Sequence, residues 1–104
     1  MAAPKWMNNN FYDQKRCQCI ILILKNYPNI LEFMFDKNSP KLSMSAEKIL
    51  SETSGLSSDE KVLIKIALDL WDGSGNASYI SLVNLLSEDN YQRVIQATSM
   101  MRNI

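Results

Sequence analysis

The 104-residue chain contains no histidine. That absence removes the side chain that most often serves as a general base near neutral pH and as a metal ligand. Only two cysteines, three glycines and three prolines are present. A disulfide scaffold is therefore not expected. The spacing Cys17-Gln18-Cys19 sets the two thiols about 200° apart on a helix, where they are poorly placed to bond one another. Both are expected to be reduced and partly buried. Long apolar runs are also lacking: the longest, Cys19 to Leu24, falls far short of the roughly 20 residues a membrane span requires. No cationic start leads into an apolar segment and cleavage site, so a signal peptide is not expected and a cytoplasmic location is. The acceptor-like Asn76-Ala77-Ser78 then has no consequence, because glycosylation requires secretion.

Net charge is missing as well. Eleven basic and eleven acidic residues cancel. Up to Glu52 there are seven basic and five acidic residues, and after it four and six. No strong field of one sign points to nucleic acid or an anionic membrane.

What the chain does have is apolar content, 46% of its residues, in a length suited to one domain with one core. The expected fold is all-α: a compact single-domain bundle of five to six short helices around a central apolar helix at about residues 58–72. Residues 1–10, which end in an asparagine run, are expected to form a flexible leader, followed by a single helical domain over 11–104. Met7 offers an alternative natural start, with "MAAPKW" ahead of it as an appendage. Helices are expected over Phe11 to Asn26 and Asn29 to Asp36, divided by Pro28, which forces Tyr27 out of the helical region. A short buried strand over residues 18–26 is the alternative to the first of these, since its isoleucines favour one. Ser43 or Ser45 then caps a short helix through Ser51, which Gly55 stops. Ser57 with Glu60 forms a capping box at the head of "DEKVLIKIALDLW", and Gly73 closes that helix. Two more helices follow, at about Tyr79 to Leu86 and Glu88 to about Met101, the second capped by Ser87.

At 100° per residue, Lys61, Lys65, Asp69 and Asp72 fall within an arc of about 80°, while apolar residues fill most of the remainder. This is the pattern of a central helix with one wet stripe, with Leu63 and Leu70 near the middle of its apolar arc. In the last helix Tyr91, Val94, Ile95 and Thr98 make a narrower face.

Four segments carry candidate chemistry. "DGSGNASYISLV" places oxygen-bearing Asp72, Ser74 and Asn76 at the first, third and fifth positions of a calcium loop. Ala77 stands where such a loop needs glycine, and Val83 where it needs a bidentate glutamate. The segment therefore reads as a turn, and no metal is expected. Residues 79–86 and 88–101 have the layout of a helix-turn-helix, in which Asn90, Gln92 and Arg93 would face DNA. Glu88 and Asp89 at the same helix end oppose phosphate approach, so nucleic acid is the lesser reading. "NILEFMFDKN" sets Ile30, Leu31, Phe33, Met34 and Phe35 around nearly the whole circumference of a short helix, suggesting an exposed apolar face for another protein or for a second copy. Catalysis has no visible constellation. The serines lack an activating base, and Asp69 and Asp72 lie on the wet stripe. No cofactor is expected. The function expected is that of a small non-enzymatic protein–protein interaction module: a homodimer, an adaptor, or an inhibitor or regulator of a larger protein. A small helix-turn-helix DNA-binding regulator is the alternative.

Overall fold

The computed structural model describes residues 3–8 and 14–102. Six α-helices follow in chain order: α1 Gln14–Ile23, α2 Pro28–Met34, α3 Ala46–Glu52, α4 Ser58–Asp72, α5 Tyr79–Leu85 and α6 Glu88–Arg102. Among the described residues there is no strand, and the only β-type pairing is an isolated antiparallel bridge between Phe35 and Leu42. The all-α single-domain bundle is therefore the fold of this chain, with a radius of gyration of 12.7 Å. None of the described helices is long and apolar enough to cross a membrane.

Helix α4 shows how the local signals work. The Ser57 hydroxyl accepts the Glu60 N–H at 3.2 Å and the Glu60 carboxylate accepts the Ser57 N–H at 3.1 Å, completing the capping box. A cap of this kind stabilises a helix by about 1 kcal/mol. At the other end Gly73 takes a left-handed φ of 81° and donates to the Leu68 and Asp69 carbonyls. Between these caps Leu63, Ile64, Ala67 and Leu68 are wholly buried, each large side chain contributing roughly 1.5–3 kcal/mol by leaving water. Leu70, expected near the middle of the apolar arc, is half-buried.

Helix α1 packs on α4 and on α6. Residues 18–23 are helical and the strand alternative does not form; Cys19, Ile20 and Ile23 are wholly buried. The Cys19 thiol donates to the Ala97 carbonyl at 3.4 Å, a close approach that the small Ala97 permits. Arg16 Nη1 donates to the Trp71 carbonyl at 2.8 Å, setting a cation at the electronegative end of α4. Residues 11–13, part of the expected first helix, lie outside the described residues.

Tyr27, at φ −131° and ψ 61°, leads into Pro28 at the first position of α2, as the restriction before proline demands. Helix α2 ends earlier than expected. Phe35 is extended at φ −115° and ψ 143°, because the chain turns back there. Asp36 N–H donates to the Lys41 carbonyl and Ser43 N–H to the Met34 carbonyl. The Asp36 carboxylate accepts the N–H groups of Asn38 and Ser39 at 2.8 and 2.9 Å, which holds its pKa below the usual carboxylate range.

The expectation of a flexible leader does not hold for residues 3–8. Lys5–Asn8 form a 3-10 turn whose Trp6 and Met7 are buried in the core. The Trp6 ring meets Phe35 at 6.0 Å and Trp71 at 5.7 Å between centroids, and Phe35 meets Trp71 at 5.3 Å. The indole N–H donates to the Asp36 carbonyl at 2.8 Å. An aromatic cluster bonded in this way makes Trp6 part of the fold. Residues 1–2 and 9–10 lie outside the described residues.

Candidate functional site

The segment that resembles a calcium loop is a turn, built around a residue the sequence reading left on the solvated stripe. Asp69 is half-buried. Its Oδ1 accepts the N–H groups of Gly75 and Asn76 at 2.8 and 3.0 Å, and its Oδ2 accepts that of Ala77 at 3.0 Å. Asp72 accepts Ser74 N–H at 3.0 Å. Both carboxylates thus serve backbone amides that would otherwise be orphaned where one helix stops and the next starts. The loop lies so close to α4 that a Cβ on Gly75 would overlap the Lys65 carbonyl, 2.7 Å from its carbon. Among the described residues no group of three His, Cys, Asp or Glu side chains is placed to hold a metal ion.

The residues expected to face DNA are engaged inside the molecule. Asn90 is buried, and its side-chain NH2 donates to the Tyr27 hydroxyl at 2.9 Å and to Asp59 Oδ2. Asp59 Oδ1 accepts the Ser87 N–H at 2.9 Å, and the Ser87 hydroxyl accepts that of Asn90 at 3.3 Å. Arg93 pairs with Asp89 at 2.8 Å and donates to Asn90 Oδ1 at 3.2 Å. The Asn26 side-chain oxygen, assigned by hydrogen bonding, accepts from Arg93 Nη1 and Nη2 at 3.1 and 3.0 Å. Gln92 is exposed and bonded to Glu88 at 2.8 Å. This network rotates α6 so that Asn90, Val94 and Ala97 turn inward. The face expected from Tyr91, Val94, Ile95 and Thr98 is displaced accordingly, leaving Ile95 and Thr98 exposed.

The apolar face expected on residues 30–35 is largely core. Ile30, Leu31, Met34 and Phe35 are all buried, and Phe33 alone of the set is half-buried. Phe33 borders a shallow groove of about 240 Å³ with Ile30, Thr53 and Leu56. Phe35 leaves the helix and joins Trp6 and Trp71 in an aromatic cluster.

Among the described residues the exposed apolar surface is concentrated on α5, which buries none of its residues fully. Tyr79 is 79% exposed, Ile80 63%, and Val83 and Leu85 47% each. Comparison with protein-family models, curated proteins and solved structures gives no match. What the helix does must therefore be argued from its chemistry. The Ser78 hydroxyl caps it by accepting Ser81 N–H at 3.1 Å. Ser81 and Leu85 line the seam with Val62 and Lys65 of α4. The opposite side carries Tyr79, Ile80, Val83 and Asn84, a face without charge. The sequence held a signal for this surface: from Gly73 to Ser87 the chain carries no charged residue, its longest such run. Charge-free runs do not distinguish core from surface, however, and only the packing shows which this is.

Neither cysteine forms a disulfide. Burial pushes the Cys19 thiol above its ordinary value, against the smaller opposing effect of Lys15. A thiol held protonated and wholly buried is a poor nucleophile.

Proposed function

We propose that the protein acts by protein contact, without catalysis, and that α5 is the contact face. The observation that carries this reading is the outward side of α5, where Tyr79, Ile80 and Val83 form an apolar patch on a helix with no charged residue. With roughly 150–250 Å² for a large aromatic side chain and somewhat less for an aliphatic one, the exposed fractions amount to about 400 Å². A patch of that size on a small domain is commonly functional. Tyrosine beside branched aliphatic groups also suits a surface that must remain wet when free and dry when bound. The non-catalytic part of the reading draws support from how the reactive groups are used: Cys19 is buried and protonated, and Asp59 and Asp69 spend their oxygens on amide donors. A helix-turn-helix reading of residues 79–86 and 88–101 draws less support, since Asn90 is buried and Arg93 is bonded to Asn26, Asp89 and Asn90.

The test is photocrosslinking in the cell of origin. A benzoylphenylalanine in place of Tyr79 is expected to give discrete protein adducts, and the same group in place of Lys48, exposed on α3, is expected to give none above background. Equal yields from the two positions would overturn the assignment of the face.

A further inference from the structure

We infer that the occupant of the α5 face is a second copy of this chain, joined about a two-fold axis. The inference rests on the reading of α5 as a contact face and adds what covers it.

The first argument is charge. Partners selected from a mixed-charge surface are oriented by opposite charges across the interface. The run from Gly73 to Ser87 offers none, in a chain that elsewhere carries eleven charges of each sign. The natural complement of a neutral apolar face is another such face, and this molecule carries one.

The second argument concerns hydrogen bonding. A two-fold interface brings a patch against itself, so its polar groups must satisfy copies of one another. A row of lysines or carboxylates fails that condition. The polar groups here, the Tyr79 phenol and the Asn84 amide, each contain both a donor and an acceptor. Along α5 they stand at the two ends of the face, about 7.5 Å apart at 1.5 Å per residue. An antiparallel crossing of two α5 helices therefore sets each Tyr79 beside the Asn84 of the other copy. It also sets each Ile80 against the other copy's Val83, and it opposes the two helix dipoles.

The third argument is area. About 400 Å² from each copy buries about 800 Å² in all, which lies below the 1,200–2,000 Å² of a standard stable interface. The dimer is thus a weak, rapidly exchanging one that forms at high local concentration.

Sedimentation equilibrium of the whole chain across a concentration series, with NMR of the same samples, tests this. A reversible monomer–dimer equilibrium is expected, with concentration-dependent shifts confined to residues 77–86. Ile80→Glu and Val83→Lys are each expected to weaken association about tenfold or more. Both sites are exposed, so thermal melts of the variants should match the parent and separate lost association from lost fold. A mixture of Ile80→Glu with Val83→Lys should recover association, because the antiparallel pairing sets the new carboxylate against the new ammonium. A larger unrelated protein that docks an apolar groove on α5 would give no such recovery. A chain that remains monomeric to about 1 mM, or a dimer indifferent to both substitutions, overturns the inference. If Tyr79 crosslinks meanwhile reach a different protein, the contact face stands and the dimer alone is lost; if they reach nothing, both fall.

Discussion

Gly75→Ala puts the account of the α4–α5 turn to its hardest test. The added methyl would overlap the Lys65 carbonyl, a backbone group within a capped helix that has no rotamer through which to yield. The loop must lift instead. Lifting it withdraws the Gly75, Asn76 and Ala77 N–H groups from the Asp69 carboxylate. A hydrogen bond to a charged group contributes about 1.5–3 kcal/mol. Water can replace part of what is lost at exposed Asn76, so a total cost of about 2–4 kcal/mol is expected. Gly73→Ala supplies the scale. It forces alanine into a left-handed φ of 81° in open space, at about 1–2 kcal/mol. Gly55 has neither positive φ nor neighbours within 4 Å, so its alanine variant should range from neutral to about 1 kcal/mol more stable. Urea melts of the three, compared at a common m-value, give the order. Because Gly75→Ala and Asp69→Ala remove the same bonds, the double variant should cost little more than the larger single one. If Gly75→Ala costs no more than Gly73→Ala, or if the two losses simply add, the loop is not held to α4 in the way described.

Trp6→Ala should cost about 3–5 kcal/mol in denaturant melts, since it removes a buried ring packed on both Phe35 and Trp71 and its N–H bond to the Asp36 carbonyl; a loss under about 1 kcal/mol would mean that residues 3–8 only lie on the surface. Asn90→Leu should cost about 1–3 kcal/mol, because Asp59 Oδ2 loses its principal donor while volume is retained; a neutral result in the same melts would refute the network's role. Native Cys19 should react with a thiol reagent only as fast as the domain opens, and rapid labelling in the folded state would contradict its burial. Its folded pKa is raised, so the unfolded chain releases the proton first. Stability from this group is whole below the ordinary thiol value of about 8.5 and declines as pH rises from there toward the raised folded value. Cys19→Ala should flatten that part of the pH profile, and an unchanged slope would show that the thiol is not desolvated.

The parts of the fold legible in the sequence were those fixed by bonds between near neighbours. Ser57 and Glu60 are three residues apart, Gly73 follows its helix directly, Pro28 acts on Tyr27, and the one polar stripe of α4 recurs within the helix itself. Each could be read without knowing what lay across the core. Trp6 could not. Its burial depends on Phe35 and Trp71, distant in sequence, and a short stretch with little periodicity before an asparagine run resembles a tail. The inward face of α6 departs from its apolar pattern for a related reason. Tyr91 and Ile95 are more apolar than Asn90 and Ala97, yet Asn90 is bonded to Tyr27 and Asp59, and Ala97 is small enough to admit the Cys19 thiol. Partners remote in sequence outweighed the apolar pattern.

The exchange of roles between α2 and α5 follows from the same physics and bears on function. Apolar content shows that a helix seeks cover, but not whether it finds any. Helix α2 faces the end of α3 across Ile30 and Phe33, and its Ile30, Leu31 and Met34 are buried. Helix α5 rests on α4, packs Leu82 against the core and is held at both ends by polar bonds. Asp69 of α4 gathers the three N–H groups just before it, and Asp59, at the other end of α4, accepts the Ser87 N–H just after it. Two carboxylates on one rigid helix therefore hold both ends of a second helix that buries no residue fully. Without them an isolated seven-residue helix would be unstable in water, and its apolar side chains would have no fixed direction. With them Tyr79, Ile80 and Val83 keep a defined outward orientation before any partner arrives. Pre-organisation of that kind reduces the ordering cost of association, so a patch of only about 400 Å² has most use on a helix anchored as this one is.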